Sequence, residues 1–123
     1  MKITAVSELP ELVELVHDYW FDVEKIVFDR ARKSVTFRVE PKRAYVEAGS
    51  SKGIAIEIRN VEDLIVADTE KVGYYDINQI TFDAGKNALL LTGGIPIEIV
   101  FRVSALEIHT SATNPHTSST STA

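Results

Sequence analysis

Residues Val23 to Val39 read VEKIVFDRARKSVTFRV, and Ile77 to Leu91 read INQITFDAGKNALLL. Setting Val23 on Ile77 also sets Ile26 on Ile80, Phe28 on Phe82, Asp29 on Asp83, Val35 on Leu89 and Phe37 on Leu91, at a constant offset of 54 with no gap. Self-similarity of this kind decides architecture before any local propensity does. Each copy is an apolar strand, a polar turn and a second strand. Alternation in the second strand is clearest in Val35, Phe37 and Val39 against Thr36 and Arg38. That is a β-hairpin pattern. Asp29 and Asp83 open the turns, where a short carboxylate bonds backbone N–H groups two residues on. Both first strands step by three before settling into steps of two, so an irregularity is expected at Glu24-Lys25 and at Asn78-Gln79.

The similarity runs further. Ile56-Glu57-Ile58 is matched to Ile97-Glu98-Ile99, and Val61, Leu64 and Val66 to Val103, Leu106 and Ile108, at an offset of 41 or 42. The connection Pro41 to Gly53 then shrinks to little more than Gly93-Gly94, a tight-turn dipeptide. The unit so read has about four strands, repeated with rough two-fold symmetry.

The expected fold is mainly β (α+β): one N-terminal helix on an antiparallel β-meander of about eight strands, closed as a barrel or packed as a two-layer sandwich, with an internal duplication. Strands are placed at about 54–60, 64–67, 73–82, 88–92, 95–102 and 106–110, with a short edge strand at Ala44 to Glu47. Ser7 reads as a helix N-cap and Pro10 falls in the first turn. Leu9, Leu12, Val13 and Val16 keep helical spacing, giving a helix from about Glu8 to His17. Gly49 to Gly53 has no apolar anchor and is read as a mobile loop. The chain divides into a domain over 1–110 and a Ser/Thr-rich tail over 111–123, too poor in apolar residues to offset its ordering entropy.

Composition narrows the functions open to it. The chain has 123 residues, 45% apolar and 25% charged, with no cysteine. Thiol catalysis, cysteine-based zinc sites and disulfides are excluded, and a reducing, cytoplasmic setting is expected. A net charge of −5 provides no overall field for phosphate backbones, so nucleic acid is not an expected partner. No apolar run is long enough to cross a bilayer, and no membrane partner is expected.

His17-Asp18 is the pair most like a catalytic or metal dyad. A metal-dependent phosphohydrolase would need more ligands than His109 and His116 supply. The alternative is a histidine at a helix C-terminus beside a local acceptor. Asp63, Asp68, Glu70 and Asp76 lack calcium-loop spacing and read as a solvated loop. No metal or cofactor is expected.

Tyr19-Trp20-Phe21 joins helix to strand, either as a clamp with Trp20 inward or as an exposed partner surface. Trp20, Tyr45, Tyr74 and Tyr75 would line a pocket if the duplicated unit encloses one. Arg30, Arg32 and Lys33 crowd one turn, with Lys42, Arg43 and Lys52 in the next connection. Together they form a basic spot facing an acidic partner, or else keep turns soluble.

The segments His17 to Asp29 and Asp68 to Ile80 are similar to parts of small bacterial β-rich proteins of uncharacterised function. The opening His-Asp followed by an apolar strand and an Asp-Arg turn also resembles immunity proteins of bacterial toxin systems. That resemblance implies a non-enzymatic protein–protein interaction domain and carries no catalytic residue. A small-molecule binding barrel is the alternative, and a hydrolase using His17 and Asp18 the third reading.

Overall fold

The structure is a computed structural model that describes residues 1–49 and 53–112. Its strands are β1 (Lys2–Ile3), β2 (Trp20–Asp22), β3 (Val27–Asp29), β4 (Ser34–Val39), β5 (Ile54–Ile58), β6 (Val61–Ala67), β7 (Tyr74–Asp76), β8 (Gln79–Asp83), β9 (Ala88–Thr92), β10 (Glu98–Val103) and β11 (Ile108–Ala112). Helix α1 (Leu9–Val16) follows a 3-10 turn at Val6–Glu8, and α2 (Arg43–Glu47) lies between β4 and β5. All paired strands are antiparallel, in sheets ordered β1-β11-β5-β4-β3, β6-β10-β9-β8 and β2-β7. The mainly β, antiparallel architecture with an N-terminal helix is therefore as expected. The sheets stay open, and no closed barrel forms among the described residues.

The two hairpins share one register. Phe28 faces Val35 and Asp29 faces Ser34, as Phe82 faces Leu89 and Asp83 faces Ala88. Asp29 accepts the Arg32 N–H at 3.1 Å, and Asp83 accepts the Gly85 N–H at 3.0 Å, so both act as turn formers. Lys33 and Asn87, which end the turns, both have positive φ. The step of three at Glu24-Lys25 is absorbed by a 3-10 turn over Val23–Lys25, capped by the Asp22 side chain on the Glu24 N–H at 2.9 Å. At Ile77-Asn78 the strand breaks outright, separating β7 from β8.

Beyond the hairpins the structure corrects the alignment. Ile56 pairs with Phe37 and Ile99 pairs with Leu91, so Ile56 corresponds to Ile99 and not to Ile97. Sequence alone slid the match because Ile-Glu-Ile recurs two residues early. Gly93 to Ile97, rather than a two-residue turn, joins β9 to β10. Each half runs as a three-strand meander and then crosses over. β6 leaves its own half to pair with β10, while β11 pairs with β5. β2 and β7 pair reciprocally, Trp20 with Asp76, Phe21 with Tyr75 and Asp22 with Tyr74.

The inward side chains of both large sheets meet in one core with Leu9, Leu12 and Val16 of α1. Phe21 lies 5.7 Å from Phe37, and Phe37 stacks 6.5 Å from Phe101, linking the layers through aromatic contacts. Two local expectations fail. Residues 44–47 belong to a helix, because Val46 alone of that stretch needs burial and a single buried residue does not specify strand alternation. Ser111 and Ala112 belong to β11, where they pair with Ala55 and Ile54 across backbone groups that need no apolar side chain. The rest of the expected tail, 113–123, and residues 50–52 of the expected mobile loop lie outside the described residues.

Candidate functional site

α1 ends at Val16, and its last turn delivers His17 and Asp18 to the surface. Asp18 adopts positive φ, which turns the chain so that its N–H reaches the Ile77 carbonyl at 2.9 Å. His17 Nδ1 lies 3.3 Å from Asp18 Oδ2, with both side chains largely exposed. An exposed pair of this kind contributes little and holds no fixed geometry for proton transfer. Among the described residues, no group of three or more His, Cys, Asp or Glu is placed to hold a metal ion.

What His17 does reach is a groove of about 810 Å³ between α1 and β8. Leu9, Pro10 and Val13 form one wall, and five consecutive residues from Asn78 to Phe82 form the other. β8 is the last strand of its sheet, with β9 as its partner on one edge and, among the described residues, no strand on the other. The groove therefore has an apolar helix wall and a strand edge carrying unpaired peptide groups. Glu14 also lines it, and Glu11 lies in the first turn of α1.

The four aromatics divide. Tyr75 has no exposure and sits in the core, where its hydroxyl donates to the Asp68 carboxylate and accepts the Val72 N–H at 3.3 Å. Burial, and secondly that bond to Asp68, push its phenol above the usual range. It cannot line a surface, and Asp68 is a structural acceptor rather than a member of a solvated loop. The inward residue of the aromatic run is Phe21, not Trp20, because strand alternation presents one of them to each face. Trp20 is half-buried. Its N–H donates to the Glu40 carbonyl at 2.7 Å, and the Glu40 N–H returns a bond at 2.8 Å.

Trp20 and Tyr74 share one cation. The Arg43 guanidinium lies 5.8 Å from the Trp20 ring and 5.6 Å from the Tyr74 ring, held also by Glu47 at 2.9 Å. Tyr45 is exposed, with the Lys42 ammonium 5.8 Å from its ring. α2 thus gathers three of the four aromatics with Lys42 and Arg43. Nothing in the spacing of the chain marked Arg43 as the residue between them.

The expected basic spot does not assemble. Arg30, Arg32 and Lys33 precede β4 and Lys42 and Arg43 follow it, so a six-residue strand of about 20 Å separates them. Arg30 covers Phe28 at 4.6 Å, Arg32 lies 4.0 Å from Asp29, and Lys33 pairs with Glu62 at 3.2 Å. Lys52 lies outside the described residues. A second charged array, not foreseen, joins Glu57, Arg59, Glu107 and His109 across β5 and β11. Arg59 reaches both carboxylates at 2.9 Å, and His109 Nε2 meets Glu107 at 2.7 Å. The bond from His109 and the Arg59 guanidinium hold the Glu107 carboxyl below its usual range.

No helix among the described residues is long and apolar enough to cross a membrane. Comparison with protein-family models, with curated proteins and with solved structures returned no match.

Proposed function

We propose that the chain is a non-enzymatic protein–protein interaction domain that takes an extended segment of a partner as an added strand on β8. The observation that carries this reading is the pairing of an open strand edge with the apolar groove beside α1. Unpaired N–H and C=O groups along β8 supply affinity without regard to sequence, and pockets between Leu9, Val13 and Phe82 select alternate apolar side chains. Glu11 and Glu14 on α1 favour a segment carrying basic residues, in keeping with the net charge of −5. Immunity-like capture of a toxin segment is the form of this function that the resemblance of residues 17–29 suggests. We also read the shared hairpin registers as the trace of a duplicated unit.

Selection of binders from a library of extended peptides, followed by amide hydrogen exchange, tests the site. Bound peptide should slow exchange along 79–83, and Val13→Glu should abolish binding while leaving the far-UV spectrum unchanged. Binding that leaves β8 exchange untouched overturns the proposal.

A further inference from the structure

Along β4, Val35, Phe37 and Val39 face the core, which turns Thr36, Arg38 and Glu40 to the outer face. Thr36 and Arg38 are exposed there, as outer residues should be. Glu40 is not. It is 2% exposed, and neither carboxyl oxygen has a hydrogen-bond partner among the described residues. Its backbone is fixed by the two hydrogen bonds exchanged with the Trp20 backbone, and a Cβ built on Gly53 would stand 2.8 Å from Oε2. Burial raises its pKa, against the opposing pull of Arg38.

This carboxyl lines a cavity of about 400 Å³ on the outer side of the five-stranded sheet. Val27, Val46 and Ala55 supply apolar wall, and Asp22, Lys25 and Arg38 supply charge. The volume is in the range of sites for small ligands and exceeds that of one water. A buried polar group left unpaired beside such a space marks a place for a donor.

We propose that this cavity receives a primary alkylammonium group, with the ammonium on Glu40 and the alkyl stem along Val46 and Ala55. An ammonium brings three donors and the charge that an enclosed carboxylate lacks, whereas an alcohol brings one donor. Lys25 and Arg38 oppose a cation, but both are exposed and screened by water, while Glu40 is enclosed. Asp22 offsets one of them, and on α2 Arg43 is already paired with Glu47. The stem is common to free amines and to lysine side chains. The site is separate from the β8 groove and does not depend on it.

NMR titration of the labelled protein at pH 7.5 tests this with n-butylammonium chloride, n-butanol, butyrate and Nα-acetyl-lysine amide. Butylammonium should give saturable shifts at Thr36 to Glu40 and Val46, with the Glu40 side-chain carboxyl carbon moving toward its ionised value. In Glu40→Gln its Kd should rise by at least about tenfold. Affinity should also fall as pH drops and Glu40 takes up a proton. Saturation by the lysine amide as well identifies a side-chain ligand, and saturation by butylammonium alone a free amine. Equal binding of butanol, unaltered affinity in Glu40→Gln, or a carboxyl carbon in the wild-type protein that ignores the amine overturns the assignment. So does the absence of binding by either amine.

Discussion

Phe21 and Tyr75 are register partners in the two-stranded sheet, and their rings meet 6.2 Å apart with neither residue exposed. They lie 54 residues apart in the chain, the same offset that relates the two hairpins. This pair pins the junction between the halves, and its bonds are unequal: Phe21 offers packing alone, Tyr75 packing and a hydroxyl. Phe21→Ala should cost about 3–5 kcal/mol through the cavity it leaves. Tyr75→Phe should cost about 1–2 kcal/mol, the worth of a hydroxyl bonded to a carboxylate. Urea denaturation measures both, and a Tyr75→Phe protein as stable as wild type would show that Asp68 does not hold the hydroxyl.

Glu40 binds its proton more tightly in the folded chain than in the unfolded one, whose carboxyl titrates near 4.5. Stability from this group is therefore complete below that pH and is lost as pH rises through the raised folded value. Glu40→Met, close in volume and without charge, should stabilise the protein by on the order of 1 kcal/mol at pH 7.5. The gain should shrink as pH falls to 4.5. A gain independent of pH would place the effect in packing rather than ionisation.

Glu107 has the opposite sign. Its carboxyl is held low by His109 and Arg59, so its contribution is present above the ordinary carboxylate value and disappears as pH falls through the depressed one. Glu107→Gln should flatten the acid limb of the stability profile below about pH 4.5. An unchanged slope in that window would sink the assignment.

Gly53 marks the tightest approach of backbone on the outer sheet. A Cβ there would lie 1.8 Å from the Val39 carbonyl oxygen, which no rotamer change relieves. Gly53→Ala should lose at least about 2 kcal/mol, since backbone must move. By contrast, Gly85→Ala meets nothing nearer than 3.4 Å and serves as the control.

Arg43 is held by two rings and one carboxylate. Arg43→Ala should lower stability by about 1 kcal/mol, the sum of a partly exposed cation–π pair and an i,i+4 ion pair. Arg43→Lys should recover only part of this, because a planar guanidinium spans Trp20 and Tyr74 better than a point charge. Tryptophan fluorescence of Trp20 reads the local change and denaturation the global one.

The hairpins were legible because their alternation and turn aspartates are local signals, and so was α1, whose stripe of Leu9, Leu12 and Val16 is complete within the helix. The breaks near Lys25 and Asn78 were legible too, since a step of three has no place in a regular strand. α2 was not, because five residues with one buried side chain leave no period to read. Nor were the sites: β8 is an edge only once β6 has gone to β10, and the Glu40 carboxyl is enclosed only once the start of β5 brings Gly53 against it. In the linear chain Glu40 is an ordinary polar residue before a proline. Tyr75 misled for the converse reason, as strand alternation gives the outer face to its neighbour Tyr74 alone.

The exchange of β6 and β11 leaves neither half able to complete its own sheet. A chain severed between 67 and 74 would yield two fragments, each with a vacant slot shaped for a strand it does not own. Such fragments should be unstructured apart and regain the native spectrum on mixing, and the intact chain should melt in one transition. Synthesis imposes the same dependence: the first sheet must wait for the last strand to emerge, so the final described residues govern when the whole molecule becomes native.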